Sequence, residues 1–157
     1  MDGETRKIRI SLTEDRPVEE SVRGSLQNFI AGLTVPQKVE LAAKGNREVR
    51  QILSRDPSDL VARAVIGSPR LSDGDVVSYA SSTLTNDEVL RLIGENREYM
   101  SRSQVLWALV TNPRTPVPLA LRFLVRLKVN ELVQIGNNRG LSALVRREAK
   151  RLTVRRR

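Results

Sequence analysis

Cysteine and histidine are both missing from the 157-residue chain. Their absence removes disulfides, the usual zinc sites, cysteine nucleophiles and histidine acid–base chemistry in one step. It also fits a reducing compartment. Aromatic residues are scarce: Phe29, Tyr79, Tyr99, Trp107 and Phe123 are the whole set. A core made without them rests on Leu, Val, Ile and Ala, which suits packed helices better than a β-sandwich. No run approaches the roughly 20 apolar residues of a membrane span. The opening "MDGETRKIRISLTEDRPVEE" holds no apolar stretch of secretory length. A soluble, cytoplasmic protein with no membrane insertion is the expectation.

Catalytic signatures are absent too. No serine sits between the glycines of a nucleophile elbow, and no histidine is available as its base. The breaks "GENRE" and "GNNRG" read as helix breaks rather than phosphate loops. Asp56, Asp59, Asp73, Asp75, Asp87 and Glu88 fall at predicted helix starts, where carboxylates favour the macrodipole. The expectation is therefore no enzyme, no catalytic residue, no metal, no cofactor and no small-molecule substrate.

Charge is present in quantity, and it is uneven. Residues 1–32 carry five Lys/Arg against six Asp/Glu, and residues 33–113 carry ten of each. Residues 114–157 carry twelve against two, so the net charge of +9 belongs to the last quarter of the chain. Such asymmetry points to an anionic partner for that end. The plainer reading is a solvated helix face with a charged tail.

Internal repetition organises the rest. "LTVPQKVELAAKGNREVRQIL" (33–53), "LSDGDVVSYASSTLTNDEVLRLI" (71–93) and "TPVPLALRFLVRLKVNELVQI" (115–135) share a plan. Each opens on a cap or turn, continues as an apolar helix, breaks, and resumes with an acidic residue before an aliphatic pair. Glu48, Glu88 and Glu131 mark that point, at offsets of 40 and 43 residues. A third helix follows each: "SDLVARAVIGSPR", "MSRSQVLWALVTNPR" and "LSALVRREAKRL". The endings "GSPR" and "TNPR" lie 44 residues apart. The period is that of HEAT and armadillo repeats. Thr34-x-x-Gln37, Ser72-x-x-Asp75, Thr85-x-x-Glu88 and Ser101-x-x-Gln104 read as capping boxes, and Asn46 as a lone cap. Thr115 is read as the cap of the helix that contains Pro118, with Pro116 at its first position.

The expected fold is all-α: a right-handed α-solenoid of about three three-helix units. The units span about 33–70, 71–114 and 115–153. A capping helix over 18–33 precedes them, with Val22, Leu26, Phe29 and Ile30 on its inner face. Residues 19–157 form one domain on this reading. Residues 1–18 fit no unit and read as a flexible arm, or as a segment that docks on a partner or back on the solenoid. "KIRISL" within it alternates like a strand, with nothing to pair against.

These units resemble HEAT/armadillo-type α-solenoids, and the "RDP", "SPR" and "NPR" helix ends resemble the leucine-rich-repeat variant proteins of bacteria. "LTVPQKVELAAKGNREVRQILSRDP" and "ALVTNPRTPVPLALRFL" look like a group of short bacterial HEAT-like proteins. The resemblance covers about residues 33–152 and implies a fold and a generic binding surface, not a function. The cysteine cluster that holds an iron–sulfur centre in the leucine-rich-repeat variants has no counterpart here, so no cofactor carries over. HEAT-like DNA glycosylases share only the fold class.

Two sets of residues are candidates for partner binding. The first is basic. Arg122 and Arg126 share a helix face, as do Arg146 with Lys150 and Arg147 with Arg151. Arg155, Arg156 and Arg157 extend the last helix, and Arg114 and Arg139 sit in breaks. The second set lies on the third helices: Arg63 and Trp107 hold equivalent positions, six residues before Pro69 and Pro113. A core position is the plainer reading of Trp107. Two functions follow. One is an adaptor or scaffold that binds a protein partner with an acidic surface through the solenoid groove, which the third helices would line, and through the basic C-terminal surface. The alternative is sequence-nonspecific nucleic-acid binding through the basic stripe.

Overall fold

The structure, a computed structural model, describes residues 11–157. All regular structure among them is helical. The elements are α1 (Glu20–Ala31), α2 (Val35–Lys44), α3 (Arg47–Leu53), α4 (Asp59–Ile66), α5 (Asp73–Ser81), α6 (Asp87–Glu95), α7 (Arg97–Met100), α8 (Ser103–Thr111), α9 (Val117–Leu124), α10 (Val129–Asn137) and α11 (Ala143–Arg155). The strand-like reading of "KIRISL" falls mostly on residues 1–10, outside the described residues.

Local chemistry sets most helix starts. Thr34 and Gln37 close a reciprocal box on α2: Thr34 Oγ1 accepts from the Gln37 N–H, and Gln37 Oε1 accepts from the Thr34 N–H at 2.9 Å. Ser72 and Asp75 do the same for α5 at 3.2 and 3.0 Å. Asn46 caps α3 by accepting from the Val49 N–H. Three expected caps do other work. Thr85 is buried and its hydroxyl donates backwards to the Tyr79 carbonyl at 2.7 Å, and Thr115 donates to the Leu109 carbonyl at 2.6 Å. Each adds a second donor to a carbonyl in the last turn of the helix before it, where a backbone N–H bonds at 3.3 Å. The cap of α6 passes to Asn86, and α9 starts from Pro116 with no side-chain cap. Ser101 donates to the Glu98 carbonyl, and α8 begins two residues later.

Helices this short are marginal alone and hold their shape by packing. The same contact recurs in each expected interval: the first helix packs on the last, as α2 on α4, α5 on α8 and α9 on α11. Across intervals, α4 meets α6, α3 meets α5 and α8 meets α9. Buried side chains from Leu26 to Leu152 form one continuous apolar cluster. Complete burial of a leucine such as Leu53 or Leu90 contributes about 2 kcal/mol. Gly94 lets α9 approach α6 closely, since a Cβ there would lie 2.8 Å from Leu119 Cδ2.

At the N-terminal side α1 packs on α3 through Val22, Leu26 and Ile30. Phe29, expected inside, is 53% exposed, because it lies at the edge of that apolar face. Before α1, residues 11–15 lie against the α2–α3 junction, where Asn46 and Arg70 bond to their carbonyls.

Candidate partner-binding surface

The basic residues fall into two groups with different surroundings. Arg122, on α9, reaches the Gly94 carbonyl at the end of α6, at 3.4 Å. Arg126, just past α9, donates to the Met100 carbonyl at the end of α7, at 2.7 Å. Both guanidinium groups lie over the Phe123 ring, 4.9 and 5.8 Å from its centroid. Arg156 closes the same end by donating to the Val125 and Leu127 carbonyls, both at 2.6 Å. Arg122 and Arg126 tie the third interval to the second, and Arg156 ties the end of α11 to the segment between α9 and α10, all through helix-end carbonyls where positive charge is favoured. No carboxylate neutralises them among the described residues.

The second group lies on α11. Leu144, Arg147, Arg151 and Val154 follow at spacings of three, four and three, so they share one helix face. Leu144 is 54% and Val154 75% exposed. Arg147 has no carboxylate partner among the described residues, while Arg151 pairs with Glu148 one turn away and holds its carboxyl below the ordinary value. Lys150 runs its stem over Gly136, where a Cβ would sit 2.9 Å from Lys150 Cγ. Arg146 is half-buried and its Nε is enclosed without a hydrogen-bond partner. Arg139 is exposed in the break before α11. Arg122 and Arg126 belong to the α9 segment, and α9 packs on α11, so these six residues and Arg151 share one end of the fold.

Arg114, Arg63 and Trp107 have different surroundings. Arg114 pairs with Asp87 on α6 at 3.1 Å, and Arg63 with Glu88 at 3.5 Å. Both line or border a cleft of about 440 Å³ that also holds Arg55, Asp59 and Arg91. Its charges largely neutralise one another. The Arg91 guanidinium, bonded to Glu88, holds that carboxyl below its ordinary value, and Arg91 also reaches Glu95. Trp107 is half-buried in a separate cleft of about 500 Å³ between α5 and α8, beside Val77, Ser81 and Gln104. Arg63 and Trp107, equivalent in spacing, thus line no common cleft. Neither side chain is enclosed in the core.

Other polar residues stood out less in the sequence. Asn46, Asn86 and Asn112 each hold a helix or turn with Oδ1 and donate through Nδ2 to carbonyls of an earlier segment. The recurrence of asparagine two residues before Glu48 and Glu88 was the available signal. Arg50 and Asp75 meet inside the core, a pairing 25 residues apart that no local pattern announces. No helix is long and apolar enough to cross a membrane among the described residues. No family model, curated protein or solved structure matches the chain.

Proposed function

We propose that this chain is a non-enzymatic interaction module, a right-handed α-solenoid of three HEAT/armadillo-like units. It binds a protein partner with an acidic, amphipathic segment through the basic surface on α9 and α11. The recurring contact of first helix with last helix supports the repeat reading. One observation carries the choice of partner: on the outer face of α11, Arg147 and Arg151 lie between two exposed apolar residues, Leu144 and Val154. Guanidinium groups pair with carboxylates in two-pronged geometry. Leu144 and Val154 give a partner helix apolar contact that shields those pairs from water. A phosphate backbone uses the arginines but leaves both apolar side chains without a counterpart. We place the protein in the cytoplasm, in keeping with a sequence free of cysteine.

The choice between partners is tested by titrating labelled DNA and RNA with the protein at two salt concentrations. Weak binding, unaffected by Arg147→Glu with Arg151→Glu, is the expected result. Tight binding that falls steeply with salt and is lost in that variant overturns the protein-partner reading.

A further inference from the structure

Asn46 and Asn86 lie forty residues apart and share two bonds to an earlier segment. The Asn86 N–H donates to the Ser54 carbonyl at 2.9 Å, and its Nδ2 donates to the Asp56 carbonyl, two residues on, at 2.6 Å. The Asn46 N–H donates to the Leu12 carbonyl at 2.7 Å, and its Nδ2 donates to the Glu14 carbonyl, again two residues on, at 3.0 Å. Asn46 Nδ2 also bonds the Ser11 carbonyl at 2.9 Å. At Asn86 the segment received is the loop that closes α3. At Asn46 it is the N-terminal arm. Residues 12–14 therefore stand in the bond register of residues 54–56.

Arg70 completes the receiving surface. Its Nη1 donates to the Thr13 carbonyl at 2.6 Å and to the Lys44 carbonyl at 2.9 Å, while Nη2 lies 3.5 Å from Asp15 Oδ2. Asp15 Oδ1 accepts from the Arg47 N–H at 2.8 Å. Asn46 itself is only 2% exposed, so its amide is a buried donor that needs a carbonyl partner. By contrast, Thr13, Glu14 and Asp15 are exposed, and Leu12 is half-buried. The receiving residues are fixed in the fold, and the occupant contributes backbone carbonyls, one carboxylate and the Leu12 side chain, which packs against the apolar core.

We infer that the Asn46–Arg70 surface is a peptide-binding slot, and that residues 11–15 occupy it as an internal, displaceable ligand. Its ligand class is a short turn segment of a protein that presents carbonyls two residues apart and a carboxylate on the next residue. Such a segment, arriving from a partner, replaces the arm. An occupant tethered in cis competes at an effective concentration in the millimolar range, so the arm sets the affinity threshold for any rival. This inference does not rest on the basic surface of α11.

The test titrates the ¹⁵N-labelled full chain with the peptide SLTEDRPV, residues 11–18, and follows the Asn46 side-chain amide. The host variant Asp15→Ala loosens the arm by removing the Asp15 carboxylate from Arg70 and from the Arg47 N–H, while the Arg70 bond to the Thr13 carbonyl remains. In that host the Asn46 resonance shifts saturably, at about tenfold lower peptide concentration than in the intact chain. Adding Arg70→Ala to the host weakens binding about tenfold. An Asp15→Ala peptide against the Asp15→Ala host weakens it severalfold and needs no further change in the folded chain. The inference is overturned if the Asp15→Ala host shows no saturable shift, or if the Asp15→Ala peptide binds as well as the parent.

Discussion

Arg50 and Asp75 meet at 2.8 Å inside the core, with side chains 3% and 2% exposed. Arg50 comes from α3 and Asp75 from α5, so the pair joins the first two intervals of the chain. Asp75 also accepts from the Ser72 N–H and pairs with Arg47 Nε at 3.1 Å, and Arg50 Nη1 donates to the Gly45 carbonyl at 2.9 Å. Each remaining lone pair or N–H that finds a partner offsets the cost of burying the two charges.

Removing Asp75 leaves the buried Arg50 charge without a carboxylate, whereas removing Arg50 leaves Asp75 the exposed Arg47 guanidinium at 3.1 Å. Asp75→Asn is expected to lower unfolding stability by about 3–5 kcal/mol and Arg50→Met by less, read by urea denaturation. The pair also sets an acid limit. Burial by itself raises the Asp75 pKa, but the Ser72 N–H and the Arg50 guanidinium outweigh it and hold the group below its ordinary 3.8. A carboxyl depressed in the folded state stabilises above its unfolded pKa. That contribution is complete above about pH 4 and is lost as pH falls through the lower folded value. Asp75→Asn therefore flattens the acid limb of a stability–pH curve. An unchanged acid limb would show that Asp75 does not carry it.

Tyr79 lies beside this pair on α5, fully buried, and its hydroxyl has no hydrogen-bond partner among the described residues. A buried hydroxyl without a partner costs about 1–3 kcal/mol of desolvation. Tyr79→Phe keeps the ring and removes that cost. Equal or higher stability, by up to about 1 kcal/mol, is expected in thermal or urea unfolding. A marked loss would reveal a partner for the hydroxyl.

Asn86 is both cap and cross-link. Its Oδ1 accepts from the Glu88 N–H, and its Nδ2 crosses to the Asp56 carbonyl. Asn86→Ala is expected to cost about 2 kcal/mol. Asn86→Asp keeps the acceptor for the Glu88 N–H but turns the crossing donor into an acceptor facing the Asp56 carbonyl, so it too should be less stable than the wild type. If Asn86→Asp matches the wild type, the crossing bond contributes nothing to stability.

The all-α architecture was legible because its signals are local. Thr34 with Gln37 and Ser72 with Asp75 are near neighbours, and the apolar spacing of α4 or α6 needs no distant partner. The prolines at 113, 116 and 118 mark the seam between α8 and α9, as their backbone limits require. What escaped was the choice between near and far partners. Thr85 and Thr115 look like caps in sequence, yet their hydroxyls turn back six residues to carbonyls of the preceding helix. Arg122 and Arg126 look like free surface charge, yet both bond carbonyls 26–28 residues earlier. Spacing shows which residues share a face, but not which carbonyl lies opposite.

That distinction selects the positions for the decisive experiment. Arg126 holds the fold together as well as presenting charge, so its loss confuses stability with binding. Leu144, Arg147 and Val154 project outward from α11 and serve the test cleanly. The full chain is used as bait in a nuclease-treated pull-down, beside Arg147→Glu with Arg151→Glu, and beside Leu144→Ser with Val154→Ser. One stoichiometric protein with an acidic amphipathic segment is expected, retained by the wild type and lost by both variants. A partner retained equally by both variants, or recovery that vanishes with nuclease, would contradict it.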